Sequence, residues 1–140
     1  MVNETRTKIE PAILQEILQW MKTDLVFEAE ATVCLKLSEN AEIKEINQKY
    51  RGKNALTDVL SFPCQIPNIP FKGDIIINTA VADQQKGNHT LEKEIAILFI
   101  HGLLHLAGMD HIRKKDQAKM HLFELKYQDM LNKTHSLSET

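Results

Sequence analysis

The stretch Leu91 to Ala107, reading LEKEIAILFIHGLLHLA, is apolar on nearly every helical face. A helix of that kind is stable only where other elements cover it on all sides, so the chain has to fold around it. Its most apolar window, Ile95 to Met109, is about 15 residues long and contains His101 and His105, whereas roughly 20 apolar residues are needed to span a bilayer. The segment therefore predicts a central buried helix, not a membrane anchor. Thr90 is placed to cap its start, and Gly108 to stop it in a left-handed turn.

The elements that cover this helix follow from periodicity. Glu10 to Asp24 puts Ile13, Leu14, Ile17, Leu18 and Met21 at helical spacing, with Pro11 in the first turn. Ala31, Val33, Leu35 and Leu37 alternate with Thr32, Cys34 and Lys36, the pattern of a half-buried strand. Ser38 offers a cap to a helix over Glu39 to Tyr50, whose stripe is Ile43, Ile46 and Tyr50, before a turn at Gly52. Arg51 to Asp58 reads as a loop feeding a short strand, Val59 to Phe62, and Pro63, Pro67 and Pro70 exclude regular structure up to Phe71. A β-branched strand, Gly73 to Asn78, is followed by a short helix over Thr79 to Gln85. Arg113 to Asn132 predicts a last amphipathic helix on Met120, Phe123, Leu131 and the pair Leu122/Leu125, and about 132–140 a frayed tail. The fold class expected is α+β, mixed α/β: a small sheet covered by about five helices, the central one carrying two candidate metal ligands.

With 140 residues, no internal repeat and no linker, residues 1–140 are read as a single domain. Lys and Arg number 17 against 19 Asp and Glu, a net charge of -2, which excludes coating nucleic acid by bulk positive charge. The opening MVNETRTKIEP shows no secretory pattern, and the 2 cysteines, Cys34 and Cys64, encode neither a disulfide framework nor a zinc knuckle. A cytoplasmic protein with both thiols reduced, as small buried residues, is expected.

The segment His101-Gly-Leu-Leu-His105-Leu-Ala-Gly108-Met-Asp-His111 carries the chemistry. Residues four apart on a helix share a face, so His101 and His105 direct their imidazoles to one point, and a turn at Gly108 returns His111 toward it. A single histidine on an apolar stripe is usually just a core residue. Random placement of 6 histidines in 140 positions gives this triple spacing roughly one time in a hundred, and histidine is costly to bury without a partner. Three neutral imidazoles with an open fourth position suit a catalytic Zn²⁺, which lowers the pKa of a coordinated water toward about 7. Because ligating imidazoles must be neutral, metal occupancy is expected to fall below about pH 6.

The spacing is that of the metzincin proteases, H-E-x-x-H-x-x-G-x-x-H, with Gly102 in place of the glutamate that serves as their general acid and base. A peptidase is therefore disfavoured. Glycine at this position is read as leaving room beside the metal for a bulky anionic substrate such as a phosphodiester.

Three motifs, INQKYRGKNALTDVLSFP at Ile46 to Pro63, KGDIIIN at Lys72 to Asn78 and HGLLHLAGMDH at His101 to His111, resemble the YbeY family of bacterial rRNA maturation factors. The resemblance runs from about Glu30 to Leu131. It implies a zinc-dependent, single-strand-specific endoribonuclease acting in rRNA maturation, at the 16S rRNA 3′ end, and in ribosome quality control. Single-stranded rRNA and the small ribosomal subunit are the implied partners, with no DNA and no membrane. It also implies His101, His105 and His111 as Zn²⁺ ligands, and Arg51, from the YRGK motif, as a catalytic residue. Met109 stands where the family more often has tyrosine, and Asn54-Ala55 where it has Asp and often Pro; none of these is a ligand.

The residues fit those roles. The Arg51 guanidinium can hold a phosphate through two hydrogen bonds and stabilise charge growing on it, and Lys53 is a second candidate for substrate phosphate. Asp74 and Asp110 are candidate acceptors for the ligands' outer N–H groups; a strand-start or helix-cap role serves them equally. Arg113, Lys114, Lys115 and Lys119 form either an RNA guide or a solvated face, and His89, His121 and His135 read as surface residues. A non-catalytic zinc-containing ribosome-assembly factor is the alternative, against which the open fourth position argues.

Overall fold

A computed structural model describes residues 1–3, 5, 7–52, 57–109 and 114–135; the side chains of Ala41, Arg51, Lys114, Lys115 and His135 lie outside that description. The elements run β1 (Val2–Asn3), α1 (Pro11–Thr23), β2 (Thr32–Ser38), α2 (Asn40–Arg51), β3 (Val59–Pro63), β4 (Phe71–Asn78), α3 (Thr79–Gln85), α4 (Leu91–Leu106) and α5 (Lys114–His135). This is the α+β arrangement that the periodicities predict, with a four-stranded sheet and five helices among the described residues.

The strands lie in the order β1-β2-β4-β3, with β1, β2 and β4 parallel and β3 antiparallel along the edge. Strand alternation gives the two faces different tasks. Leu35, Leu37, Ile75 and Ile77 are buried in one cluster with Ile17 and Met21 of α1 and Ile95, Ile100, Leu103 and Leu104 of α4. Each such side chain contributes about 1.5–3 kcal/mol on leaving water. Cys34, Lys36, Asp74 and Ile76 occupy the alternate positions, on the face that meets α2. As predicted, α4 is the central helix: its Ile95, Ala96, Ile100, Leu103 and Leu104 are fully buried, and it packs against β3, β4, α1, α3 and α5.

The ends of α4 follow the expected chemistry. Thr90 Oγ1 accepts from the Lys93 N–H at 3.1 Å. At the other end Gly108, with φ +93°, donates its N–H to His105 O, and the Met109 N–H reaches back to Leu104 O. These two bonds satisfy last-turn carbonyls and end the helix one residue after His105. A second glycine is forced by contact: a Cβ on Gly73, φ +142°, would lie 2.3 Å from Phe62 O and 2.9 Å from Leu106 Cδ2. Only a residue without a side chain lets β3, β4 and α4 meet there.

Several expectations are corrected. The two-residue β1 was not foreseen; Val2 and Asn3 make a strand only by pairing with Lys36 and Leu37. Ser38 does not cap α2: it ends β2, and its hydroxyl donates to Glu42 Oε2 at 2.8 Å. On α2, Ile43 is buried while Tyr50 is exposed. On α5, Met120, Tyr127 and Leu131 are buried and Leu122 and Leu125 face solvent, because the packed stripe begins at Met120 and repeats by steps of three and four. That helix continues to His135, past the Asn132 at which the sequence ends it. Both thiols are half-buried rather than buried. No described helix is long and apolar enough to cross a membrane.

Candidate metal centre

His101 and His105 lie one turn apart near the C-terminal end of α4, on the side facing β3. Their Nε2 atoms are 3.1 Å apart, with ring centroids at 4.7 Å and planes inclined by 73°. Two nitrogens bound to one tetrahedral zinc at about 2.0–2.1 Å are separated by about 3.3–3.4 Å, so the pair is spaced as ligands of a common cation. His101 Nδ1 lies 3.1 Å from Glu124 Oε1 on α5. A carboxylate there accepts the Nδ1–H, which fixes the tautomer and leaves the Nε2 lone pair directed at His105. Across the 3.1 Å contact the two Nε2 atoms can be bridged by a proton or by a metal cation. The donor set fits zinc.

The pair opens on a cleft of about 440 Å³ walled by Thr57, Asp58, Val59, Ser61 and Pro63. Asp58 is held from behind. Its Oδ2 accepts from Gln85 Nε2 at 3.0 Å, and the same amide donates to Glu94 Oε2 at 2.9 Å. Glu94, 7% exposed, has its other oxygen 2.6 Å from His89 Nε2. The chain His89–Glu94–Gln85–Asp58 thus satisfies a buried carboxylate and orients a half-buried one, and His89 is a partner in it rather than a surface bystander.

Of the residues singled out from the sequence, the structure brings His101 and His105 together. His111, Asp110, Lys53 and Arg113 lie outside the described residues, and among those described no group of three metal-binding side chains gathers. Arg51 is the last residue of α2, next to Tyr50, whose ring packs edge-on against Phe62 of β3 at 5.7 Å. Asp74 is not near the imidazoles: it lines a pocket on the opposite face of the sheet, beside Cys34. The Cys34 thiol is pushed up, first by burial and then by the Asp74 carboxylate. His121 and Lys119 are exposed.

Gly102 is also corrected. A Cβ there would meet Ile75 Cγ2 at 3.0 Å, Ile75 Cδ1 at 3.1 Å and Ser61 Oγ at 3.2 Å. It is glycine because α4 lies flat on the sheet, with no room opened for a substrate. The glutamate of the proteases has no space at this position. Glu124 and Asp58 escaped the sequence reading. Glu124 had a signal: it stands on the stripe Met120, Glu124, Tyr127, Leu131, where a carboxylate among apolar residues asks for a partner. Asp58 had none, since its bond to Gln85 spans 27 positions.

A model of the family described as endoribonuclease YbeY matches residues 2–132. This chain belongs to the YbeY family. Relatives called endoribonuclease YbeY from two strains of Staphylococcus aureus, bovine RF122 / ET3-1 and JH9, are each 37% identical to it over 76% of this chain and 77% of their own. A protein of Thermotoga maritima, solved in solution, superimposes with a TM-score of 0.62 at 30% identity, over 94% of this chain and 87% of that one. The α+β fold is thus shared with a solved structure, and the YbeY motifs quoted above lie within the matched span.

Proposed function

We propose that this protein is a zinc-dependent endoribonuclease specific for single-stranded RNA, acting in the cytoplasm on rRNA of the small ribosomal subunit, in 16S 3′-end maturation and ribosome quality control. The observation that carries the reading is the His101–His105 pair, 3.1 Å between Nε2 atoms, facing a polar cleft. His101, His105 and His111 would hold Zn²⁺, with Glu124 orienting His101. When bound, the cation supplies Lewis acidity and charge neutralisation at the scissile phosphate.

The chain's own groups do the rest. Asp58, fixed by Gln85, is the carboxylate in the cleft that can accept a proton from the attacking hydroxyl. Arg51 and Lys53 contact the phosphate, and the Arg51 fork spreads over two of its oxygens as charge develops. Ser61 and Thr57 line the cleft as hydroxyl donors. The absence of a glutamate at Gly102, and of space for one, disfavours peptide hydrolysis.

The test is cleavage of a fluorogenic single-stranded RNA by the zinc-loaded protein with and without chelator, beside casein as a peptide substrate. RNA is cut, casein is not, and chelator stops the reaction. Arg51→Ala loses turnover while retaining zinc. Undiminished cleavage by Arg51→Ala, or metal-dependent digestion of casein, would overturn the proposal.

A further inference from the structure

The face of the sheet away from the histidines carries a second cavity, of about 450 Å³, lined by Ile46 and Tyr50 of α2, Phe62 of β3, Val2, and Cys34, Lys36, Asp74 and Ile76 of β2 and β4. It and the histidine cleft share one strand. Ser61 and Pro63 line the cleft, whereas Phe62, between them, lines the cavity. β3 is the edge strand of the sheet, and among the described residues no further strand lies beyond it.

The walls are mostly apolar, and two charges stand among them in fixed register. Cys34 pairs with Asp74 and Lys36 with Ile76, so Lys36 is a diagonal neighbour of Asp74 on the same face, with its ammonium paired to the Glu42 carboxylate of α2. Tyr50, 62% exposed, presents an aromatic ring at the rim, with Lys49 Nζ 5.4 Å from its centroid. An aromatic surface and an acceptor within one apolar cavity match a nucleobase: stacking takes its faces and the carboxylate reads its edge. A bare phosphate is disfavoured by the carboxylate.

We propose that this cavity is a base-binding subsite that selects guanine in the RNA strand crossing β3, a reading that rests on the function proposed above. Guanine is the base whose Watson–Crick edge offers two adjacent N–H donors, N1–H and the 2-amino group, to a single carboxylate. Adenine and cytosine place a ring acceptor next to their amino group, which a carboxylate repels. Uracil offers one N–H flanked by two carbonyls. Tyr50 stacks on whichever base enters, so it sets affinity while Asp74 sets identity.

The experiment measures binding apart from cleavage. Fluorescence anisotropy of single-stranded RNA probes, identical except for one G, inosine, A, C or U, is read with the full-length His105→Ala protein, in parallel with cleavage by the zinc-loaded wild type. The G probe binds about tenfold tighter than the inosine probe, which lacks the 2-amino group. Asp74→Asn abolishes that preference, and Tyr50→Ala, at an exposed position that does not disturb the core, weakens all probes alike. Equal affinity for G and inosine, or a G preference that survives Asp74→Asn, overturns the subsite. Loss of binding by Asp74→Asn to every probe equally, or a cavity that takes up protein segments and no base, does the same. RNA cleavage without G selectivity leaves the nuclease standing and sinks the subsite; G selectivity in binding without cleavage does the reverse.

Discussion

Replacing Gly102 by alanine sets two terms of known sign against each other. Inside a helix the exchange gains about 1 kcal/mol of propensity. Against it, the new methyl would lie 3.0 Å from Ile75 Cγ2, 3.1 Å from Ile75 Cδ1 and 3.2 Å from Ser61 Oγ, so α4 or Ile75 has to move by a few tenths of an ångström. Ile75 is fully buried on β4, which is paired on both sides, and cannot retreat. Overpacking of this kind costs about 1–3 kcal/mol, which leaves a net loss of about 1 kcal/mol. Urea unfolding followed by circular dichroism reads that as a midpoint lowered by roughly 0.5 M with an unchanged slope. A cycle with Ile75→Val, which removes Cδ1, sharpens the test: alone it costs about 1 kcal/mol, and less in the Gly102→Ala background. If Gly102→Ala raises the midpoint, and Ile75→Val costs the same in both backgrounds, the close helix–sheet contact is not what demands glycine.

Glu124→Gln keeps the shape but removes the charge that orients His101, and zinc affinity, measured by competition with a chromogenic chelator, falls about 10- to 100-fold; unchanged affinity would refute the orienting role. Leu25 ends α1 at φ +61° while 88% exposed, so Leu25→Gly relieves strain, loses no packing and stabilises by about 0.5–1 kcal/mol, read as a higher melting temperature. Tyr127→Phe deletes the hydroxyl that donates to Asp24 Oδ2 at 2.8 Å and costs about 1–2 kcal/mol at neutral pH. Lys126, then Tyr127, holds Asp24 below its ordinary value of 3.8, so this stability is present above about pH 4 and is lost as pH falls through the lower folded value. The gap between variant and wild type should therefore close in acid; a gap constant with pH would contradict it.

What the sequence revealed was whatever repeats locally. The all-round apolar run of α4, the alternation of β2, the Thr90 cap and the Gly108 stop each depend on neighbours within a turn or two, and each stands in the structure. The His101–His105 pair was legible for the same reason, being one helical turn. Contacts between distant segments left no such trace. The pairing of Val2 and Asn3 with β2, the bond from Gln85 to Asp58, and the seat of Gly102 on Ile75 are set by tertiary packing. Asp74 shows the limit most plainly: strand alternation turns it from the histidines to the opposite face, and from the sequence alone either face was open.

The proposed function requires that the two Nε2 atoms hold a cation on which RNA cleavage depends. The direct measurement is metal content by plasma mass spectrometry and RNA cleavage rate on the same preparations of wild type, His101→Ala and His105→Ala. Wild type is expected to carry stoichiometric zinc and to show chelator-sensitive cleavage, with both lost together in each variant. Cleavage that persists in His105→Ala preparations free of zinc would contradict it.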